Sequence, residues 1–260
     1  MRTPSFAAFA SAFVLALVGA TTAHAQSWPS KPIELIVPWT PGGGVDIIAR
    51  AMAQSMSDQL GQKVFVTNRE GAAGTIGFRA LADAPADGNL LGAGPATPIT
   101  NAPYLVKGVR HTPESFDYIC QYFENVFGVV VTKGSKFATA KDLIAAAQAS
   151  SVKLNYGSPG VGSIGHLSAE TMVDALKLSA QHVPFRGDAA ALPVLLKGDL
   201  DFLVPALSSV QGRDDVRVLA VFSNERQPTL PSVPSVRELG LTNPLVQFLN
   251  GIFAPKGLPP

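Results

Sequence analysis

Two segments hold the residues best suited to chemistry: Pro38-Trp39-Thr40-Pro41-Gly42-Gly43-Gly44-Val45-Asp46 and Gly157-Ser158-Pro159-Gly160-Val161-Gly162-Ser163-Ile164-Gly165-His166. Each follows a buried-strand pattern and opens a helical one. Such a loop presents unpaired backbone N–H groups at the positive end of a helix dipole, and glycine lets an anion approach the backbone closely. The chemistry is capture of an anion without a cationic side chain. A single such loop is better explained as a tight turn. Two in matching context, one in each half of the chain, point to a shared cleft.

Other constellations are weaker. Gly160-x-Gly162-x-x-Gly165 has the spacing of a dinucleotide fingerprint, but the end of the next strand holds Phe185-Arg186, with Asp188 beyond, where a ribose-binding acid belongs. Ser163 and His166 lie three apart on one helix, yet no acid orients the histidine, and Val161 breaks the nucleophile-elbow pattern. No catalytic residue is therefore expected. His111, His166 and His182 lack metal-ligand spacing, so neither metal nor cofactor is expected. Asp46 sits in a first helical turn, where a carboxylate meets the dipole favourably and can brace the loop. His166 either faces the cleft, caps its own loop or lies in the core.

The elements that must position these loops alternate. Pro32 to Pro38 reads as a short buried strand, and Ile48, Met52, Met56 and Leu60 recur every four residues before Gly61 stops the helix. Strands Lys63 to Thr67 and Asn89 to Ala93 flank a glycine-dotted turn and a helix ending near Ala84. Ile119 to Thr132 is one long apolar run able to pass from one lobe to another. A helix capped by Thr139 and Asp142 follows, then strand Lys153 to Tyr156, a helix to about Leu178 and strand Ala180 to Phe185. A helix opened by Asp188 comes next, then strands Leu200 to Val204 and Arg217 to Phe222, a short helix Ser235 to Leu239, and a last strand Phe248 to Ala254. Strands alternating with helices imply mainly parallel α/β sheets. The halves share a plan without a sequence repeat.

Residues 1–25 are a different material. Arg2, the apolar run Phe6 to Ala20 and Ala23-His24-Ala25 have the layout of a secretory signal cleaved after Ala25, which implies an exported protein. The run is shorter than the roughly 20 residues of a membrane span. Removing it leaves equal numbers of basic and acidic residues, because the full chain has 20 and 19. That balance, without a basic run, gives no footprint for nucleic acid. The one cysteine, Cys120, cannot form an internal disulfide, and the apolar stretch Phe116 to Phe127 places it in the core.

Taken together, the motifs are similar to those of the substrate-binding proteins of tripartite tricarboxylate transporters, the Bug family. The likeness runs from Trp28-Pro29-Ser30-Lys31-Pro32 through Val37-Pro38-Trp39-Thr40-Pro41-Gly42-Gly43, Asn68-Arg69-Glu70-Gly71-Ala72-Ala73-Gly74 and Ala86-Asp87-Gly88. It continues with Leu154-Asn155-Tyr156-Gly157-Ser158, His182-Val183-Pro184-Phe185-Arg186-Gly187 and Leu230-Pro231-Ser232-Val233-Pro234. The resemblance implies a two-lobed periplasmic binding protein of type II kind, a monomer that closes on a small carboxylate and hands it to integral-membrane transporter subunits. Some members serve sensor proteins instead. Lobe 1 would comprise residues 26–123 and 251–260, and lobe 2 residues 124–250. The family's C-terminal helices would be missing from lobe 1, exposing apolar surface there. Carried onto this chain, the ligand would meet Trp39, Thr40, Gly43, Gly44, Val45, Asp46 and Thr97 from one side. From the other it would meet Ser158, Gly160, Gly162, Ser163, His166, Phe185 and Arg186, the arginine standing where lysine is usual. Trp39 replaces the usual phenylalanine. The expected function is therefore a non-enzymatic carrier of di- or tricarboxylates. A periplasmic sensor is the first alternative, and a nucleotide-dependent oxidoreductase built on the Gly160 fingerprint ranks below it.

Overall fold

The computed structural model describes residues 28–149, 153–244 and 248–259, so the leader expected at 1–25 lies outside the described residues. Strand β1 (Ile33–Val37) is covered on both faces, which explains its nearly continuous apolar sequence. Ile33, Leu35 and Val37 point into one core with Ala49 and Ala53 of α1 (Gly44–Leu60), while Ile36 points into another with Phe78 and Leu81 of α2 (Thr75–Ala82). Glu34 is the exception in the run, and its Oε1 accepts from Thr67 Oγ1 at 2.6 Å and Arg69 Nη2 at 2.8 Å.

Beside β1 lie β2 (Val64–Asn68) and β3 (Leu90–Pro95), both parallel to it. Two single turns, α3 (Thr97–Thr100) and α4 (Ala102–Leu105), lead to β4 (Phe116–Glu124). The first sheet has the order β2-β1-β3-β10-β4, and β10 (Leu249–Pro255) runs antiparallel to both neighbours.

The second sheet is built from β5 (Gly128–Thr132), β6 (Leu154–Ser158), β7 (Ala180–Pro184), β8 (Phe202–Leu203) and β9 (Val216–Val221). Its order is β7-β6-β8-β5-β9, with β5 antiparallel to both of its neighbours. Helices α5 (Ala140–Ala149), α6 (Ile164–Ala175) and α7 (Asp188–Lys197) flank it. Each sheet therefore has one reversed strand. In the second sheet it is the strand that has just entered from the first, and in the first sheet it is the strand that has just returned.

The run Ile119 to Thr132, expected as one crossing segment, is divided. Its first part belongs to β4, its last to β5, and Asn125, Val126 and Phe127 pass between the sheets. Asn125 N–H donates to Phe248 O at 3.0 Å, tying the outgoing passage to the return.

Two expectations fail. Cys120 is exposed, because β4 is an edge strand paired only with β10 and turns Tyr118, Ile119 and Cys120 to solvent. Ser235 to Leu239 forms a turn rather than a helix. Glu238 Oε1 accepts from Ser235 N–H at 3.0 Å and Ser235 Oγ from Glu238 N–H at 3.4 Å, a capping box that closes a single turn before Gly240 adopts φ +100°.

Candidate functional site

The two glycine loops leave the carboxyl ends of β1 and β6, so α1 and α6 start on the sides of the sheets that face each other. Gly44 and Val45 of α1, Ser163 and Ile164 at the start of α6, and Gly187 and Asp188 at the start of α7 line one pocket. Three helix N-termini, one from the first sheet's half and two from the second's, thus aim their positive dipole ends into a common space. Trp39, Pro95, Phe127 and Phe248 give it apolar walls. Thr40, Thr97, Asn125 and Asn250 add neutral polar groups, and among the described residues no Lys, Arg or His lines it.

Four lining oxygens are buried without a partner in the protein: Thr40 Oγ1, Thr97 Oγ1, Asp188 Oδ1 and Asn250 Oδ1. Buried polar atoms are ordinarily paired, so their gathering at one pocket marks a place built to receive a polar ligand.

Of the residues expected at the cleft, Trp39, Thr40, Gly43, Gly44, Val45, Thr97 and Ser163 line this pocket. The others lie elsewhere. Asp46 is buried behind its loop, where its carboxylate accepts from Gly42 N–H at 2.9 Å, Asn68 Nδ2 at 2.8 Å and both Arg50 Nε and Nη2 at 2.9 Å. Burial would raise its pKa, but these hydrogen bonds outweigh it and hold the carboxyl below the usual range. Asp46 braces the loop.

Ser158 is fully buried under the second loop, 2.7 Å from His182 Nε2. Gly162 N–H donates to His166 Nδ1 at 3.1 Å, so the imidazole caps its own loop. Gly160 packs toward the opposite lobe, its would-be Cβ 3.5 Å from Ala73 Cα. In the Gly160 fingerprint, a pyrophosphate would need the loop N–H that His166 occupies. Phe185 packs among Leu192, Leu203 and Val183 rather than in the pocket. Arg186 is largely exposed, with Nη1 3.8 Å from Glu70 Oε1 across the mouth. Gly187, next in the chain, adopts φ +131°.

The rings of His166 and His182 lie 4.1 Å apart, and Tyr156 stacks on the far side of His182. Burial lowers the pKa of both histidines; His166 adds to the effect on His182, which falls to about 4, and Glu170 partly offsets it at His166. The pair is therefore neutral at pH 7, and the second loop offers no cation.

Reasoning from the sequence missed Asp188, Asn125, Phe248 and Asn250. Asp188 Oδ2 accepts from Ala206 N–H at 3.1 Å and Ser209 Oγ at 2.8 Å. Burial raises its pKa to about 6 against the lowering effect of those bonds. Its place directly after Gly187, opening a helix, was the one available signal, and that signal reads equally well as a structural helix start. Among the described residues, no group of three or more His, Cys, Asp or Glu could hold a metal ion. No described helix is long and apolar enough to cross a membrane.

The arrangement is a binding site between lobes. It can hold a small organic anion by helix ends, hydroxyls and apolar walls. Residues 48–260 match the model of the tripartite tricarboxylate transporter family receptor. A UPF0065 protein of Bordetella pertussis is 34% identical over 253 residues, covering 95% of this chain and 78% of that protein. Two solved structures share the fold closely. An R. palustris protein solved with adipate has a TM-score of 0.84 and 30% identity, covering 89% of this chain and 79% of its own. MatC from Rhodopseudomonas palustris, with bound malate, has a TM-score of 0.82 and 27% identity, covering 89% and 80%.

Proposed function

The chain belongs to the tripartite tricarboxylate transporter receptor family, and from that membership we propose that it is a periplasmic solute-binding protein that closes its two lobes on a small organic carboxylate. The observation that carries this reading is the pocket where the N-termini of α1, α6 and α7 meet without a basic side chain. A carboxylate there replaces lost hydration with fixed N–H groups and hydroxyls. Both lobes gain contacts only when they meet around it, so ligand affinity is converted into closure. The related proteins solved with adipate and malate support an acid of that size.

The ligand-facing set we propose is Thr40, Gly43, Val45, Thr97 and Asn250 from the first-sheet side and Ser163, Ile164 and Asp188 from the second. Asp46, Ser158 and His166 hold the loops in shape. The lobes are proposed to divide as residues 26–123 with 251–260, and 124–250; the sheet membership of β10 and β5 supports that division except at its joins, where Glu124, Leu249 and Asn250 belong to the first sheet. The closed form would present its joined surface to a membrane transporter, and a leader removed after Ala25 would deliver it to the periplasm. Solute binding without chemistry accounts for every group in the pocket.

Isothermal titration calorimetry with C4 to C6 dicarboxylates, hydroxy acids and amino acids tests the reading. Saturable binding by at least one acid, weakened in Gly43→Ala, is the expected result. Absence of binding across all three classes would remove the carboxylate reading.

A further inference from the structure

The pocket's unpaired groups are of two kinds. Thr40 Oγ1 and Thr97 Oγ1 belong to hydroxyls that can donate to a carboxylate, as the helix N–H groups can. Asp188 Oδ1 and Asn250 Oδ1 cannot donate: a carboxylate oxygen and an amide oxygen only accept. Asn250 Nδ2 is already used, donating to Phe248 O at 3.2 Å. A ligand made only of carboxylates offers acceptors to acceptors at this end and would leave both oxygens unpaired.

Among the described residues, Asp188 is also the only charged one lining the pocket. Arg213 borders an adjoining cavity with Asp188, but its guanidinium is bound to the Asp215 carboxylate, Nε to Oδ1 at 2.9 Å, and it makes no ion pair with Asp188. Ser209 and the Ala206 N–H satisfy Oδ2 and leave Oδ1 bare. The dipole of α7 favours a carboxylate at its first residue, so Asp188 can remain ionised at neutral pH although buried. Its pKa of about 6 agrees with an ionised but costly carboxylate awaiting a partner.

We propose that Asp188 selects the ligand: the pocket takes a carboxylic acid that also carries an ammonium group, the ammonium on Asp188 Oδ1 and the carboxylate on the pocket's hydroxyl and N–H donors. This rests on the carboxylate-binding reading of the same pocket and names the class of acid within it. An ammonium supplies three donors and one positive charge, and so answers the bare Asp188 Oδ1 and its uncompensated charge. A second carboxylate at the same place meets a like charge at close range in a poorly hydrated site. That penalty reduces affinity on the order of a hundredfold.

The test uses pairs matched in length and differing at one end: succinate with 4-aminobutanoate, glutarate with 5-aminopentanoate, and adipate with 6-aminohexanoate. Calorimetry at pH 7.5 is expected to show, in at least one pair, at least tenfold tighter binding of the amino acid. In Asp188→Asn that preference is expected to fall below threefold or reverse. Diacids binding as tightly as their amino partners in every pair would overturn the proposal and leave the carboxylate reading standing. Failure of both members of every pair to bind would overturn both. Should Asp188→Asn fold poorly by circular dichroism, the wild-type comparison still decides, and Asp188→Gly serves as the second variant.

Discussion

The backbone N–H of Gly44 donates to Ser209 Oγ at 3.0 Å, and the same hydroxyl donates to Asp188 Oδ2 at 2.8 Å. The first helix N-terminus of one lobe is thus joined through a serine to a buried carboxylate of the other. One donor that looks free for an anion is instead a latch between lobes. Ser209→Ala removes it, and a hydrogen bond of this kind contributes about 1 kcal/mol. The lobes should then favour the open arrangement, with ligand affinity about fivefold lower. Calorimetry reads the affinity, and small-angle scattering the larger radius of gyration.

The neighbouring glycines have separable roles. A Cβ built on Gly44 would lie 2.0 Å from Ser208 Oγ, whereas on Gly43 its nearest neighbour is Thr40 O at 3.6 Å. Gly44→Ala should therefore block closure itself, so that scattering shows an open protein even at saturating ligand. Gly43→Ala leaves room for the fold and for closure, and should weaken binding only by crowding the ligand. A compact Gly44→Ala protein in the presence of ligand would refute the assignment.

Stability in the absence of ligand should depend on pH between about 4 and 6 less steeply than histidine titration alone would give, because the lowered pKa of His182, with that of His166 beside it, is opposed by the raised pKa of Asp188. His182 has its pKa lowered to about 4 by burial and by His166, with Tyr156 and Ser158 its other neighbours. Below pH 6.5 the unfolded chain protonates first, so this group removes stability as pH falls. Asp188 has its pKa raised to about 6 by burial, among Ser209, the Ala206 N–H and an Arg213 already committed to Asp215. Its contribution is full below the unfolded value near 3.8 and is lost as pH rises through 6. Each slope is at most about 1.4 kcal/mol per pH unit. Asp188→Asn should raise Tm at pH 7 and expose the histidine slope, so that Tm falls steeply from pH 6 to 4. Asp87, Asp117 and Glu238, lowered to about 2, titrate mainly below that window.

Much of this architecture was legible because it is local. Strand β1 followed by Gly42-Gly43-Gly44, or β6 followed by Gly160 and Gly162, carries its own signal, and the helices after them keep the 3.6-residue period. The pocket's other half was not legible for the opposite reason. Asn125 and Asn250 stand 125 positions apart and become neighbours only because β10 returns between β3 and β4. Arg186 reads from its motif equally as a ligand contact or as a solvated rim residue, and it lies largely exposed, with Nη1 3.8 Å from Glu70 Oε1. Cys120 looked buried because composition does not reveal which strand forms a sheet's edge.

Asp46 tests whether the first loop is held from behind rather than by its ligand. Its carboxylate gathers Gly42 N–H, Asn68 Nδ2 and the Arg50 guanidinium, all within 3 Å. Asp46→Ala leaves those donors facing a space that solvent barely reaches, since the Asp46 side chain is 3% exposed, although Arg50, at 49%, can turn to water. The cost should be about 2–3 kcal/mol, below that of breaking a fully buried pair. Asp46→Asn keeps one acceptor and should recover about half of it. Thermal unfolding reads the loss, and it should persist when ligand is added, because the loop that would bind has lost its brace. Were Asp46 a ligand contact instead, the variant would melt like wild type without ligand and differ only in its presence.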